Sequence, residues 1–585
     1  MVTAATAARP GKTQIKSLRR LNIRRDPILL GIGALIVSGV ALMSVQLIVL
    51  AVASLKEGML LDPRPFSLAN FRSVFQNSYF WEVSRNTLLL GTGSVAVMLF
   101  FVVPFAWLYT RTDLPGKGLL LTLLTVRIAV PGFLVAMSYI FLFNPSNGIA
   151  NTIAKDIFGF VRPPFNIYSL YWIIFFQGVA MVTSAFFMVV PTFRSIDAAL
   201  EEVGFVSGVG KWAVTTRVVL PLVAPALLAT SIYYFVLAIE MFDYAGMIGL
   251  PVRIFVFSTW LYWLTNPPDN ADPHYGEAAA LSALAIMVVA LFSFLYLRSV
   301  RRAERYAVVT GKRGQQASIR LSRRAKVLAW AFISVYMTIE MVIPVFMLIW
   351  VSLLPYIQPF SLEALDSVSL KAYRIAFEEL PPVFGNSLIL MLAVPTLVVS
   401  IATCIAWLTT RTRFAVRKPT ELLVMATVAV PNIVVALAFL YMGISIYKIL
   451  PIYTTIWIIV IASTTRPLAW ATRTISSAML QLHQELEEAC LISGVPRGRS
   501  FLSILVPTVK PALMFSWFWI ALLALRELSV PLMLSRPNTQ VLATAIWGFN
   551  ASGYTSVASA MGVILLLLIG CMVVVFQRLV RRSSI

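Results

Sequence analysis

Residues 202–221 read EVGFVSGVGKWAVTTRVVLP, and residues 488–507 read EACLISGVPRGRSFLSILVP. Glu202 aligns with Glu488, Gly208 with Gly494 and Pro221 with Pro507, all at an offset of 286. In both copies a short acidic helix, Leu200-Glu201-Glu202 or Glu485-Leu486-Glu487-Glu488, runs into a glycine that permits a sharp turn. A second helix follows and carries a proline tolerated in its first turn. The outcome is a stiff polar protrusion between two apolar stretches, suited to passing movement from a soluble partner to the helices on either side.

Those apolar stretches set the fold class. The chain has 585 residues, 59% of them hydrophobic and 12% charged, with a mean hydropathy of +0.84. A helix of about 20 apolar residues crosses roughly 30 Å of hydrocarbon. Runs of that kind occur near residues 27–54, 87–109, 118–143, 168–192, 222–248 and 277–298, and again near 327–354, 386–410, 421–447, 452–478, 508–534 and 557–578. The expectation is an all-α polytopic membrane bundle of about twelve transmembrane helices. Soluble enzymes, disulfide modules and disordered scaffolds are excluded. The long continuous runs also differ from the alternating strands of about 10 residues that build an outer-membrane barrel. Spans that contain Pro131 or Pro431 are expected to kink where neighbouring helices satisfy the freed carbonyls.

The twelve runs form two sets of six that are copies of each other. WLYTRT at 107–112 matches WLTTRT at 407–412, Asn86-Thr87 matches Asn386-Ser387 and Val130-Pro131 matches Val430-Pro431, all at an offset of 300. The fall from 300 to 286 means 14 extra residues in the first copy, around Asp156 to Asn166. An even number of spans per copy makes the halves parallel repeats, with a path between them along the membrane normal as the natural consequence. The chain therefore divides into a basic tail (1–26), a first half (27–298, loop 195–221), a basic linker (299–326), a second half (327–578, loop 481–507) and a short tail (579–585).

Charge fixes the expected orientation. The formal charge is +22, and 19 of the 47 Lys and Arg lie in residues 1–26, 299–326 and 578–582, outside the apolar runs. By the positive-inside rule both termini, the linker and the two duplicated loops are cytoplasmic. Membrane lipid, rather than nucleic acid, is the partner of this charge, because no aromatic-interleaved basic surface accompanies it. The first apolar run is too long for a cleaved signal core and is read as an anchor. Cys404, Cys490 and Cys571 are far apart and the histidines are only His274 and His483, so neither a disulfide framework nor a metal site is expected. His274 is placed on an exposed outer loop.

Charges inside spans are costly and usually face a partner or a cavity. Arg127, Glu240, Asp243, Glu340, Arg466, Arg526 and Glu527 are of this kind. Glu240 and Met241 correspond to Arg526 and Glu527 at the 286 offset. Glu240, Asp243, Arg526 and Glu527 are the candidates for a gate or translocation-path layer. Arg127, Glu340 and Arg466 read instead as packing or snorkelling residues.

The paired loops, Glu then two mostly small residues, three residues, Gly, nine residues and a four-residue close that ends in Leu-Pro or Val-Pro, resemble the EAA loop of binding-protein-dependent ABC importer permeases. The fused layout, AERYAVVTGK at 303–312 and ALRELSVPLML at 524–534 resemble in particular the ferric-iron type of fused permease. The resemblance implies the type I importer fold, and an inner-membrane chain that works with two copies of an ATPase and a periplasmic binding protein. It also implies that Glu202 and Gly208, with Glu488, Ala489 and Gly494, dock the ATPase. The first copy departs from the pattern at Val203-Gly204 and the second at Cys490. No Gly-x4-Gly-Lys-Ser/Thr loop is present, so the chain is no enzyme, holds no cofactor of its own and leaves ATP and Mg to its partner. The implied activity is alternating-access import, with ferric iron as the leading solute. Thiamine, polyamines, organophosphonates and sugar phosphates are the alternatives within the class, and a gradient-driven secondary transporter is the alternative outside it.

Overall fold

The computed structural model describes residues 26–58, 63, 65–196, 198–267, 271–306, 319–412, 414–483 and 485–583. Most of the basic tail and the middle of the basic linker lie outside the described residues. The first half is built from α1 (Pro27–Ser54), α2 (Tyr79–Arg111), the pair α3 (Lys117–Ile128) and α4 (Gly132–Phe143), α5 (Ile149–Phe158), α6 (Leu170–Arg194), α7 (Ala198–Val206), α8 (Lys211–Glu240), α9 (Phe257–Thr265) and α10 (Tyr275–Tyr306). The second half follows with α11 (Arg323–Ser352), α12 (Lys371–Arg411), the pair α13 (Arg417–Val428) and α14 (Asn432–Ser445), α15 (Ile456–Leu480) and α16 (Glu485–Ile492). It ends with the pair α17 (Arg497–Thr508) and α18 (Lys510–Arg526), then α19 (Ser529–Leu534), α20 (Leu542–Ala551) and α21 (Thr555–Ser583). Among the described residues the only β pairing is two isolated bridges. The molecule is an all-α polytopic bundle.

Eight helices are long and apolar enough to cross a membrane singly, and four bent pairs are so together. The third span of each half is one of these pairs, bent by 90° between α3 and α4 and by 107° between α13 and α14. Both breaks fall where Pro131 or Pro431 stands in extended conformation just ahead of the second helix. Proline cannot donate to the preceding turn, and the helix restarts from it. The prolines thus do more than kink these spans.

Two expectations need correction. The fifth spans do not run straight through 222–248 and 508–534: α8 ends at Glu240 and α18 at Arg526, each followed by an extended residue, Met241 or Glu527. The chain then re-folds into short segments, Ala245–Val252 with α9 in one half and α19 with α20 in the other. Polar side chains hold these returns in matching ways. Thr87 Oγ1 accepts from Phe257 N at 2.9 Å and Ser387 Oγ from Leu542 N at 2.8 Å; Asn86 Nδ2 donates to Phe255 O and Asn386 Nδ2 to Gln540 O. The span expected at 452–478 is α15, which Thr464, Thr465, Arg466 and Arg473 make less apolar than the other spans.

The first span of each half packs on the other half. Gly39 of α1 lies so close to α12 that a Cβ there would stand 2.4 Å from Ile401 Cγ2, and Met43 Sδ accepts from Thr427 Oγ1 of α13. Reciprocally, Phe332 of α11 stacks on Phe101 of α2 at 5.4 Å, Tyr336 shares a hydrogen bond with Thr183 of α6, and Ser138 of α4 donates to Pro344 O. Phe101 and Ile401 are equivalent at the 300 offset, so the exchange obeys the internal repeat. The two halves hold each other by swapped first spans.

Candidate functional site

Two sites emerge, one at the duplicated loops and one among the intramembrane charges. At the loops, α7 and α16 end on Gly208 and Gly494 with φ of +77° and +78°. Val209 N donates to Gly204 O and Val495 N to Cys490 O, both at 3.0 Å. These bonds from the residue after the glycine, back to the third residue from the helix end, form the Schellman stop. The departure at Gly204 has a cause: a Cβ there would stand 2.8 Å from Val214 Cγ2, so the first loop folds tightest with glycine. Both second helices carry a π-turn at the same place, Thr215–Val219 and Phe501–Leu505, just before or at Pro221 and Pro507. Such widened turns absorb a residue that cannot donate.

Glu202, Gly208, Glu488, Ala489 and Gly494 are all exposed. Beside them stand exposed apolar side chains, Val203 and Val206 in one loop and Ile492 in the other, with Val206 at 89% and Ile492 at 72% exposure. The neighbouring carboxylates point inward instead. Glu201 sits 3.0 Å from Arg111 Nη1 at the end of α2, and Glu487 sits 3.4 Å from Arg411 Nε at the end of α12. The same arginines close the ends of the fourth spans. Arg111 Nη2 donates to Phe193 O at 2.8 Å and Ile196 O at 3.2 Å, while Arg411 Nη2 donates to Met479 O and, at 2.7 Å, to Leu482 O. Burial pushes the Glu201 carboxyl above the ordinary glutamate range, against the pull of Arg111. Burial does the same at Glu487, opposed by Arg411, by the Trp407 indole and by Arg497. Sequence reading used WLYTRT and WLTTRT only as repeat landmarks and gave their arginines no role. The signal was present in the pairing of two offsets, 300 for the arginines and 286 for the glutamates.

The intramembrane charges gather between the halves. Glu240, at the end of α8, pairs with Arg466 of α15 in the second half. Arg526, at the end of α18, donates to Ile128 O, a carbonyl freed by the break between α3 and α4 in the first half. Glu527 accepts from Asn432 Nδ2, just after the equivalent break in the second half, at 3.2 Å. Asp243 abuts the other break, where a Cβ on Gly132 would stand 2.7 Å from its Oδ2. The four candidate residues therefore all face a span break or the other half. Glu240 and Arg526 occupy equivalent places without pairing to each other. Asp243, Arg466, Arg526 and Glu527 are partly accessible although helices of both halves surround them. Arg127 and Glu340, read from sequence as packing residues, form a second buried inter-half pair, with Arg127 Nε donating to Glu340 Oε2 at 2.5 Å. Arg466, read the same way, is the partner of Glu240. Among the described residues no three His, Cys, Asp or Glu side chains gather as a metal-holding group. Exposed His274 lies 3.6 Å from Glu277, and the three cysteines are free.

Residues 399–585 match the family described as the binding-protein-dependent transport system inner membrane component. Over that stretch the chain is similar to a binding-protein-dependent transport permease. The matched stretch includes the whole of α13 to α20 and the second loop, and the duplicated geometry extends the likeness to the first half. Relatives of the whole permease include a putative ferric transport system permease protein of Haemophilus influenzae, 22% identical over 502 residues that cover 83% of this chain and 75% of the relative. An Fe(3+)-transport system permease protein of the same organism is 23% identical over 508 residues, covering 85% and 90%. An sn-glycerol-3-phosphate transport system permease protein of Shigella dysenteriae is 24% identical over 259 residues, 42% of this chain and 85% of the relative. The matched family is one of inner-membrane transport components, and the apolar helices described above agree with a multi-pass membrane protein.

Proposed function

We propose that this permease imports ferric iron, delivered by a periplasmic binding protein and driven by two ATPase subunits that dock one on each duplicated loop. The observation that carries the reading is the pair of exposed protrusions, Glu202 with Gly208 and Glu488 with Ala489 and Gly494, on matching glycine-terminated helices flanked by exposed Val206 and Ile492. A soluble partner with an apolar groove and a basic rim fits such a surface. ATP and magnesium belong to that partner, and the permease needs no resident cofactor. The basic segments support cytoplasmic termini and cytoplasmic loops.

In this reading Glu240, Asp243, Arg526 and Glu527 line the path, and alternating access rearranges the contacts they make across the halves. The iron assignment is supported by the ferric relatives that align over most of the chain, and by the charge of the layer. Counting Arg127, Arg466 and Arg526 against Glu240, Asp243, Glu340 and Glu527, carboxylates exceed guanidiniums by one. Mass spectrometry of what copurifies with the gently solubilised chain tests the partners: an ATPase near two copies per permease, with an iron-loaded binding protein, is the expected result. The same ATPase with a sugar-phosphate-loaded binding protein would keep the importer and remove iron. Transport that survives vanadate but stops when the proton gradient collapses would make the protein a secondary transporter.

A further inference from the structure

The joints behind the docking loops are built to a different standard from the docking surface. Each is a three-way junction. One guanidinium sits at the last turn of the second or eighth span, receives a carboxylate from the first turns of the loop helix, and donates to the last carbonyls of the fourth or tenth span. The carbonyls at a helix end have no partner in their own helix, and a cation there also meets the negative end of the helix dipole. Removing either charge from a buried pair leaves the other uncompensated. The junction is therefore favoured as a unit.

The two junctions are not equal. Arg111 and Glu201 are 0% and 1% exposed and 3.0 Å apart, whereas Arg411 and Glu487 are 4% and 27% exposed and 3.4 Å apart. The first is reinforced by the returning end of the linker. Ile319 N donates to Arg111 O at 2.9 Å, Asp113 N donates to Ile319 O at 3.2 Å, and Asp113 accepts from Leu321 N and Lys326 Nζ, both at 2.7 Å. Trp330 Nε1 donates to Pro115 O at 3.0 Å and completes the clasp. The second junction has a lighter tie: Gly498 N donates to Asp26 Oδ2 at 3.0 Å at the head of α1.

We infer that Arg111–Glu201 and Arg411–Glu487 are the positioning pairs that convert movement of the docked ATPases into movement of the spans, and that the first, linker-clasped pair carries the greater part of the coupling. This rests on the reading that the loops dock ATPases. Each loop helix then moves as one body with the ends of the second and fourth spans of its half. Neither arginine touches solute or nucleotide; both act through the glutamate and the carbonyls they hold.

The test uses the assembled importer in proteoliposomes. Glu201→Gln keeps side-chain shape and removes the charge, and is expected to cut uptake and binding-protein-stimulated ATP hydrolysis by roughly tenfold, within the range of ordinary coupling free energies, with the ATPase still bound. Glu487→Gln is expected to cost several-fold less. Glu201→Asp, which keeps the charge, is expected to restore part of the loss. A second measurement leaves both pairs intact. Spin labels at exposed Ser195 and Ser207, in a chain whose native cysteines are replaced by serine, should keep a constant separation through the nucleotide cycle, while labels at Ser207 and Ser493 change theirs. Uptake within twofold of the unmodified complex in Glu201→Gln, or a Ser195–Ser207 separation that changes as much as the loop-to-loop one, would overturn the inference. Loss of ATPase binding alone in Glu201→Gln would make the residue a docking contact and equally overturn it. An unmodified complex that holds no ATPase and ignores ATP would instead overturn the proposed function beneath it.

Discussion

At the scale of single residues, Glu240 with Arg466 and Arg127 with Glu340 are charges paired across the halves, and pairing decides what their loss costs. Glu240→Gln strands the Arg466 guanidinium among helices and is expected to destabilise the permease by about 3–5 kcal/mol, whereas removing both charges with Glu240→Gln and Arg466→Met should recover most of that. Thermal unfolding in detergent checks the stability half of the prediction. Uptake checks the other half: if the pair belongs to the path, the double variant remains transport-deficient although it is stable again. At the loops, Gly208→Ala and Gly494→Ala force a Cβ into the left-handed region, each at about 1–2 kcal/mol. Both are expected to weaken ATPase capture in a pull-down, because the Schellman stop fixes the angle between loop helix and span. The repeated glutamates and the turn glycines of the loops were legible in the sequence because their spacing repeats. The inward pairs were not, since Glu201 and Arg111 are 90 residues apart and nothing local says that one carboxylate of the doublet Glu201-Glu202 turns in while the other turns out.

Among the elements, the breaks in the third spans and the early ends of the fifth spans shape the charged layer together. Proline marked the first of these in the sequence. The second carried no comparable mark: 241–250 is as apolar as a span, and only the fold reveals that Glu240 and Arg526 each end a helix. Apolarity reports burial, which a span and a re-folded segment share. Close approach between elements gives a direct prediction. Gly39→Val on α1 would drive methyl groups into Ile401 and is expected to destabilise by about 1–3 kcal/mol, read as a lower unfolding temperature. The linker clasp gives another. Hydrogen bonds from Leu321 and from Lys326 hold the Asp113 carboxyl below the ordinary carboxylate range. With a folded pKa depressed below the unfolded one, its contribution is full above the unfolded value and is lost as pH falls through the folded value. Amide exchange at Leu321, corrected for its intrinsic pH dependence, should therefore stay slow at neutral and mildly acidic pH and quicken only below the usual carboxylate range. Asp113→Asn should quicken it at neutral pH and remove the acid step.

The whole molecule is two copies of one six-span plan, fused and locked by exchange of their first spans. The plan itself was readable from the offsets of 300 and 286. The exchange was not, because a first span of either half is equally apolar wherever it packs; only contacts such as Gly39 with Ile401 and Phe332 with Phe101 decide it. Exchange matters for the proposed mechanism, in which each half carries the other's first span with it as it turns. The central claim is that this turning is powered at the duplicated loops and moves ferric iron. Uptake of radiolabelled ferric iron into proteoliposomes containing the permease, the copurified ATPase and the loaded binding protein tests it most directly. Uptake is expected to require internal ATP, to stop with vanadate and to persist when the proton gradient is collapsed. Uptake that ignores ATP and follows the gradient would contradict it.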